Sequence, residues 1–304
     1  MIVRDKPAFW EVFFILRGSV VLQVTPLIGA VAGSSLIVVI LQRAGVTHIT
    51  AISPLALSLI GGLLAIVASF RNTSAYDRWW EARKVTGLVV VDCRNLAREA
   101  PAYITETGDE LSRRMALRCI AFMYAVRDFL RDIPVSDDLV RYLQPDELAA
   151  VQASKNRPNR LLGYLTRDIA TALAENRVSD QLAKLLEERV NALSLAFAGA
   201  ERTKVTPMPY VYTLGVHRMA YLFCLLLPFG LADSSGYWTP LLVAIISYAF
   251  FGLDAIGDEL SMPFMSAHGL PLDAMSRVVE INILESLGET DLPAPLQPKR
   301  YVLT

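Results

Sequence analysis

Two stretches near the start of the chain carry no Asp, Glu, Lys or Arg and are long enough to cross a lipid bilayer. The first, 18–42, lies between Arg17 and Arg43, and the second, 54–70, ends before Arg71. A helix of about 20 apolar residues spans the hydrocarbon core. We therefore predict a membrane protein with two membrane-spanning helices in this part of the chain, the second at the short end of the usual length.

Apolar sequence returns at about 211–232 and 234–253, with Asp233-Ser-Ser-Gly between the two stretches as a turn. His217 and Arg218 interrupt the first of these stretches, but its length still favours a third span, and the second stretch favours a fourth. The predicted organisation is a membrane part over 1–70, a helical part outside the bilayer over 71–204, a second membrane part over 205–257 and a C-terminal segment over 258–304.

The composition supports a membrane protein and excludes several other classes. Apolar residues make up 53% of the chain and charged residues 19%, against roughly 45–50% and about 25% in soluble domains. A net charge of −1 provides no electrostatic footprint for nucleic acid. Three widely separated cysteines predict neither a disulfide framework nor a zinc site.

Basic residues indicate which side of the membrane is cytoplasmic. The connections predicted on one side, 43–53 and 233–236, hold a single basic residue, Arg43, whereas four follow the second span between Arg71 and Lys84. Because positive charge near span ends stays cytoplasmic, both termini and the long helical part are expected inside. The first 17 residues lack the pattern of a cleaved signal peptide.

Outside the membrane parts the pattern is helical throughout. No proline interrupts 55–100, so one helix of roughly 70 Å is expected there, extending beyond the second span to about residue 100. Strand-like alternation is absent, so the fold class is all-α. Further amphipathic segments are 109–131, a short one from Pro145, 159–174 with Asn159 as a cap, and 179–198 with Ser179 as a cap. Pro134, Pro158 and Gly199 are predicted to separate these segments. The Pro-rich tail at 291–300 is expected to be an extended arm.

The passage FRNTSAYDRWWEARK, directly after the second span, is the most distinctive in the chain. Its tryptophan pair and basic residues suit a membrane interface, where aromatic rings are half buried and long cations reach water. Its charged residues also recur at helical spacing, which favours an interlocking charged collar between helices at least equally. The candidate collar residues are Arg71, Asp77, Arg78, Trp79, Trp80 and Glu81.

One face of the second span carries Gly62, Ile66 and Phe70, each four residues after the last. Steps of four drift by roughly 40° on a 3.6-residue helix, so the stripe follows one axis only if the helix is tilted or has neighbours wound around it. A ring of tilted helices satisfies that condition, and a plain lipid-facing surface is the alternative. Small residues that predict close helix packing are Gly61, Ala65 and Ala68.

Three acids, Asp254, Asp258 and Glu259, follow the fourth predicted span. Ionisable groups near bilayer depth are functional by default, yet these acids also fit a simple cytoplasmic exit of the span. A further alternative is a salt bridge from Asp254 or Asp258 to a basic residue of the collar. No catalytic residue, metal or cofactor is predicted, because the histidines lack zinc-ligand spacing and no phosphate loop or nucleophile elbow occurs.

Three motifs together resemble those of bacterial bestrophins: FRNTSAYDRWWEARK after the second span, GLDAIGDELSMPF at 252–264 and PLDAMSRVVEINILE at 271–285. The likeness covers nearly the whole chain. It implies an all-helical, homopentameric ion channel of the bacterial inner membrane, with four spans per subunit and one axial pore. It also implies a hydrophobic neck of bulky residues on the second span, at Phe70, Ile66 and position 62.

Two departures from the family pattern matter. Gly62 stands where a branched apolar residue is usual, so the outer neck is expected to be wider or more mobile. Eukaryotic members bind calcium through a run of carboxylates, whereas here Asp273 is the first acid after Pro263-Phe264. Since calcium takes roughly six to eight oxygen ligands, no high-affinity calcium site is predicted. The family also narrows near its cytosolic exit, for which Val178 is the candidate residue.

The resemblance implies small monovalent ions as the permeant species, with a preference for cations as in bacterial members and a chloride or anion channel as the alternative. The residues leave this choice open, because an apolar neck selects by dehydration more than by charge. The predicted partners are copies of the same chain, membrane lipid and the permeant ions. A secondary transporter is the main rival, although no internal repeat occurs. A membrane-bound enzyme and a scaffold for another protein are the remaining alternatives.

Overall fold

The computed structural model describes residues 1–4, 7–16, 18–45, 52–104, 110–266 and 269–304. Within these ranges the chain forms ten α-helices, two short 3₁₀ turns and no strand beyond isolated bridges, which confirms the predicted all-α fold. The helices are α1 (Val21–Arg43), α2 (Pro54–Tyr103), α3 (Glu110–Leu130), α4 (Asp137–Val140), α5 (Pro145–Gln152), α6 (Arg157–Ala174), α7 (Asp180–Val205), α8 (Tyr210–Ser235), α9 (Thr239–Ser261) and α10 (Leu272–Ser286). His48, His268 and most of the predicted connection at 43–53 lie outside the described residues.

The helices fall into two compact units. The apolar unit comprises Arg4–Trp79 and Pro207–Met262, and the polar unit comprises Met1–Val3, Trp80–Thr206 and Pro263–Thr304. The single helix predicted over 55–100 is present as α2, which contributes residues to both units. Its last turn includes a proline at position 101, so this residue lies inside the helix instead of following it.

In the part of the chain that the structure describes, three segments are by length and composition apolar enough to cross a membrane: Val21–Arg43, Pro54–Tyr103 and Tyr210–Ser261. The third contains both α8 and α9, which are separated by a 3₁₀ turn at Gly236–Trp238. Gly236 has a φ of 53°, a left-handed conformation that glycine adopts without the steric penalty of a Cβ. The turn therefore comes at the glycine, and the residues predicted to begin it, Asp233-Ser-Ser, still belong to α8.

The core of the apolar unit is formed by side chains from α1, α2, α8 and α9. Gly61 permits a close approach of α2 to α8, because a Cβ at this position would lie 2.8 Å from Phe223 Cζ. Ala68 is also buried, whereas Ala65 is exposed in the protomer. Two of the three small residues on this span thus face neighbouring helices, as close helix packing requires.

The polar unit is built around α3, which packs against α6, α7 and α10 and is buried over most of its surface. Its interior contains arginines as well as apolar residues. Arg118 forms ion pairs with Asp168 and Glu147, and Arg127 pairs with Asp128 at 2.8 Å. Charged side chains are almost never fully buried unless they are paired in this way.

The start of α6 differs from the prediction. The helix begins at Arg157, and its cap is Asn156, whose side chain accepts a hydrogen bond from the Asn159 backbone N–H at 3.1 Å. Pro158 lies in the first turn, where its missing N–H costs no helical hydrogen bond. The predicted cap at Asn159 was therefore wrong, because the proline was taken as a boundary.

The predicted start of α7 is confirmed, but its predicted end at 198 is not. The Ser179 side chain accepts a hydrogen bond from the Leu182 backbone N–H, as an N-cap residue does. The helix then continues through Gly199 to Val205. A Cβ at Gly199 would lie 2.9 Å from Val85 Cγ1, so the glycine serves close packing between α7 and α2 instead of ending the helix.

The Pro-rich tail has no regular structure until it turns back on itself at Lys299–Val302. Beyond the turn it pairs with the first residues of the chain. The Val3 backbone N–H donates to the Tyr301 carbonyl at 2.9 Å, and the Met1 amine donates to the Leu303 carbonyl at 2.7 Å. The tail is thus extended as predicted, and its end packs within the same subunit.

Candidate functional site

The α2 residues predicted to line a neck lie on a face that is free in the protomer. Ile66 is 56% exposed and Phe70 is 66% exposed, although both are large apolar side chains. A Cβ added at Gly62 would meet no atom within 4 Å. These three residues, the neck residues, span about 12 Å along the helix at 1.5 Å per residue. The face they form requires either lipid or another subunit as its neighbour.

Arg71 follows Phe70 directly but points to the opposite environment. Consecutive residues are about 100° apart around a helix, and Arg71 is only 1% exposed. Its guanidinium pairs with Asp254 at 2.9 Å and with Asp258, and it also donates to the Asp254 backbone carbonyl at 3.0 Å. The salt bridge from α9 to a basic residue of the collar, one of the alternatives drawn from the sequence, is therefore present within the subunit.

His217 of α8 completes this group of charges. Its Nδ1 contacts the Asp254 carboxylate, and its Nε2 lies 3.6 Å from Asp258 Oδ2. Each carboxylate thus faces Arg71 with one oxygen and His217 with the other. We call Arg71, His217, Asp254 and Asp258 the ion-pair cluster. It joins three helices through four side chains.

Glycine at position 257 makes room for the cluster. A Cβ there would lie 2.6 Å from Arg71 Nη1, so any larger residue would displace the guanidinium. The spacing Asp254-x-x-Gly257-Asp258 puts both acids and the glycine on one face of α9. This spacing, opposite a single arginine at the end of an apolar span, is a signal that the sequence contained. His217 offered no such signal and was taken only as an interruption of the third span.

Further polar contacts attach α9 to its neighbours near the cluster. Asn72 Nδ2 donates to the Leu253 carbonyl at 3.0 Å, and Arg78 Nε donates to the Ser261 carbonyl at 2.8 Å. From α1, Gln23 donates to Glu259 at 3.1 Å. The bond to Ser261 satisfies a carbonyl in the last turn of α9, which has no partner within the helix.

The remaining collar residues do not form one continuous ring of charges. Trp79 stacks with Tyr76 at 6.2 Å between ring centroids, and Trp80 is half exposed. Glu81 pairs with Lys84 at 2.8 Å along the helix and lies 3.7 Å from Arg202. Asp77 is exposed, seven residues after Phe70 on the same face of α2.

Two other candidate positions in the polar unit have defined surroundings. Val178 is 6% exposed and packs inside the subunit, which disfavours it as the side chain that lines a constriction. Asp273, the acid considered for calcium, accepts from Arg131 at 2.6 Å and lies 3.3 Å from Arg127. Two guanidinium groups therefore already neutralise this carboxylate.

A buried acid of the polar unit, Glu280, was missed from the sequence. Tyr124 donates to it at 2.5 Å, Tyr142 donates to its other oxygen, and Arg277 pairs with it at 3.0 Å. Burial and the hydrogen bond to Glu280 raise the pKa of both tyrosines well above the usual range. Ordinary amphipathic spacing hides such a residue, because a glutamate on a helix is normally exposed.

An all-helical chain with long apolar helices and a buried charge cluster at the end of its spans is a helical membrane protein. The chain belongs to the bestrophin family: the model of bacterial and fungal bestrophins matches residues 1–285. The resemblance drawn from its three motifs is confirmed.

The chain is similar to several characterised relatives. It is 40% identical to a voltage-dependent anion channel-forming protein of Mesorhizobium japonicum, over 95% of this chain and 93% of the relative. It is 35% identical to a protein of the same description from Escherichia coli, over 99% of both. A crystal structure of a bacterial bestrophin homologue from Klebsiella pneumoniae superimposes with a TM-score of 0.80 at 31% identity, covering 86% of this chain and 97% of that one.

Proposed function

We propose that the chain forms a homopentameric channel for small monovalent ions, with the α2 helices of five subunits around one axial pore. In this proposal the neck residues line the narrowest membrane part of the pore. When the rings of Ile66 and Phe70 are narrow, the pore inside them loses its water and ions cannot pass. Gly62 widens the outer part of the neck. Opening is a change in ring radius or hydration and involves no covalent chemistry.

The observation that carries the proposal is the exposure of Ile66 and Phe70 on a helix whose other face is packed. Their stripe continues into polar residues, Thr73 and the charged Asp77, which are also exposed. A face that changes from apolar to charged along one helix suits a water-filled path more than a surface covered by lipid tails, where charge is costly. Membership of the bestrophin family and the channel-forming names of the relatives add support.

Four membrane spans, an inner-membrane location and cytoplasmic termini belong to the same proposal. The third apolar segment would supply two spans, α8 and α9, because each has 23 or more residues and about 20 suffice. The scarcity of basic residues in the connections between spans supports an external location for those connections.

We propose a preference for cations over anions within this channel. Asp77 is exposed, and no hydrogen bond or ion pair to it is found among the described residues. Five copies would form a ring of carboxylates beyond the neck, which is the arrangement that favours cations. The relatives named above are called anion channel-forming proteins, so an anion channel is the competing proposal.

Currents in planar bilayers test the channel. The purified protein should give unitary steps, and its reversal potential in a KCl gradient should identify the preferred ion. Ile66→Ala should raise conductance or open probability several-fold, because a smaller side chain widens and wets the neck. Ile245→Ala on α9 is the matched control, since Ile245 is 57% exposed in the protomer and loses the same atoms.

Equal currents from both variants and the wild-type protein would contradict the assignment of the neck. Flux that saturates with substrate and shows no unitary steps would favour a transporter instead. Absence of flux in any reconstituted sample would leave a scaffold as the better interpretation. A subunit that stays monomeric in a native-like bilayer would end the proposal of an axial pore.

A further inference from the structure

The ion-pair cluster contains a histidine, a side chain that exists in a neutral and a charged form, and this histidine joins two acids. His217 Nδ1 faces Asp254 and its Nε2 faces Asp258, while Arg71 holds the other oxygen of each acid. We propose that His217 is a positioning residue whose protonation fixes α2 through this cluster, so that acid narrows the neck and loss of the proton releases it. The part of this inference that concerns the neck rests on the proposed function, and the part that concerns the cluster does not.

The geometry fits an imidazolium better than a neutral imidazole. A neutral histidine donates from one ring nitrogen and presents a lone pair at the other, whereas the imidazolium carries an N–H at both. In the neutral state one of the two nitrogens would therefore point a lone pair at a carboxylate. Only the protonated ring presents an N–H to both acids, as a hydrogen bond to Asp254 and as an ion pair with Asp258, whose Oδ2 lies 3.6 Å from Nε2.

The charge of the cluster leads to the same result. Two carboxylates and one guanidinium sum to −1 with a neutral ring and to zero with an imidazolium. Arg71 and Asp254 are buried, and an uncompensated charge is most costly in such a place. Because the His217 and Asp258 side chains remain partly exposed, protons can reach the ring.

Among the residues that the structure describes, no charged group other than Asp254 and Asp258 forms a hydrogen bond or ion pair with His217. On its own helix, Tyr221 stacks with the ring at 6.3 Å between centroids, and Arg218 is exposed. From α9, Glu259 is engaged by Gln23 of α1. The only charged residue of α1 itself is Arg43, at the end of that helix, over the ring of Tyr237.

A proton fits the site better than a metal ion. The imidazole and the two acids have ligand atoms within 4.8 Å of one another, as a metal site requires. A metal would bind the lone pair of one nitrogen only, however, and it would lie beside the Arg71 guanidinium, which already occupies one oxygen of each acid. A divalent ion beside the guanidinium is repelled more strongly than a singly charged imidazolium, which faces both carboxylates with its two N–H groups.

The link to the neck is short. Arg71 is covalently next to Phe70, and Ile66 lies one turn before Phe70 on the same face of α2, so any rotation of α2 at Arg71 turns the neck residues by the same angle. With His217 protonated, α8, α9 and α2 are held together. Without the proton, the ion pairs of His217 with both acids are lost and α8 is no longer held to α9. The two acids and the Arg71 guanidinium bound to them can then shift together, which permits α2 to rotate and the neck to widen.

Channel activity against pH tests this mechanism. Open probability of the wild-type protein should rise roughly fivefold or more between about pH 5.5 and pH 9, which matches typical coupling energies and covers the range in which imidazoles titrate. H217Q should lose this dependence and keep the high-pH level throughout, because glutamine donates from one nitrogen and carries no charge. His217→Lys, which stays positive, should remain at the low level.

The chain provides matched controls in its two other histidines, His48 and His268. H48Q and H268Q should keep the full pH dependence of the wild-type protein. The proposal is overturned if H217Q responds to pH as the wild-type protein does, if either control abolishes the response, or if activity falls as pH rises.

A second measurement separates the cluster from the channel. The thermal unfolding midpoint of the wild-type protein should exceed that of H217Q at about pH 5.5, and the difference should shrink toward about pH 9. If bilayers show no current for any variant, the proposed function fails and this measurement alone decides the role of His217. A difference that does not change with pH would overturn the protonation switch.

Discussion

The two units of the molecule bury charge in different ways. In the apolar unit, charge is concentrated in one cluster that includes a histidine and is partly open to water. In the polar unit, buried acids are paired mainly with arginines, as Asp168 is with Arg118. Arginine keeps its charge at every pH a protein meets, so its networks hold one structure. A histidine network changes its charge with pH. We therefore expect the apolar unit to respond to pH and the polar unit to keep one structure.

The largest effect is expected where a fixed network loses its cation. Arg118→Ala leaves Glu147 buried without its partner and Asp168 with Arg114 as its remaining cation, which should cost about 3–5 kcal/mol of unfolding free energy. Chemical unfolding in detergent measures this loss. Arg113→Ala is the control on the same helix, since its pair with Glu289 is exposed and should cost less than about 1 kcal/mol. Equal losses in the two variants would contradict the comparison.

Because tyrosines donate to Glu280, the stability of the polar unit should fall at alkaline instead of acidic pH. Burial and the hydrogen bond to Glu280 raise the pKa of Tyr124, so its stabilising effect is present below the ordinary value of about 10 and is lost as pH rises through the raised one. Tyr124→Phe should cost about 2 kcal/mol at neutral pH and flatten the decline of the unfolding midpoint above about pH 10. Tyr210→Phe, at an exposed site, should change neither quantity.

The ion selectivity of the channel should depend on Asp77, the acid of the α2 stripe for which no ion pair is found among the described residues. D77N removes the proposed ring of carboxylates, so the reversal potential in a KCl gradient should move toward the chloride equilibrium potential. D146N, which removes an exposed acid at the start of α5, should leave it unchanged. A wild-type channel already selective for chloride would favour the anion proposal and remove the role given to Asp77.

The smallest effect is expected for calcium. Asp273 is occupied by Arg131 and Arg127, and a hard divalent cation needs several free oxygen ligands. Calorimetry on the purified protein should therefore show no tight binding, and the pH response of the channel should be the same with and without calcium. Tight binding of calcium would show that the ion pairs of Asp273 do not hold the polar unit in one structure.

Periodic features of the sequence were predictive because they depend on one helix alone. The length of α2, its stripe through Ile66 and Phe70, and the Ser179 cap all follow from local spacing. The partner of Asp254 did not, because several basic residues of the collar were available and only the rotation of α2 among its neighbours decides that Arg71 is the one. His217 was missed for the same reason, since its role depends on acids 37 and more residues away.

Proline and glycine were the least reliable signals. Pro158 is predicted as a boundary between segments but lies in the first turn of α6. Gly199 is predicted as the end of α7 but lies within that helix, against Val85. A proline can precede a helix or lie in its first turn, and a glycine can end a helix or lie within it. Tertiary contacts decide between these positions. The prediction of Val178 as a constriction had no periodic pattern behind it, and its burial disfavours it.

The turn that brings the tail back to the start of the chain holds two ordinary residues in a left-handed conformation. Arg300 and Tyr301 have φ of 53° and 70°, values at which a side chain with a Cβ is strained by roughly 1 kcal/mol each. A two-residue loop of this hand is adopted readily by Asn-Gly. The hairpin therefore exists because the strand pairing with Met1–Val3 compensates for its strain, and the ends of the subunit stay together only as long as both partners of that pairing are present.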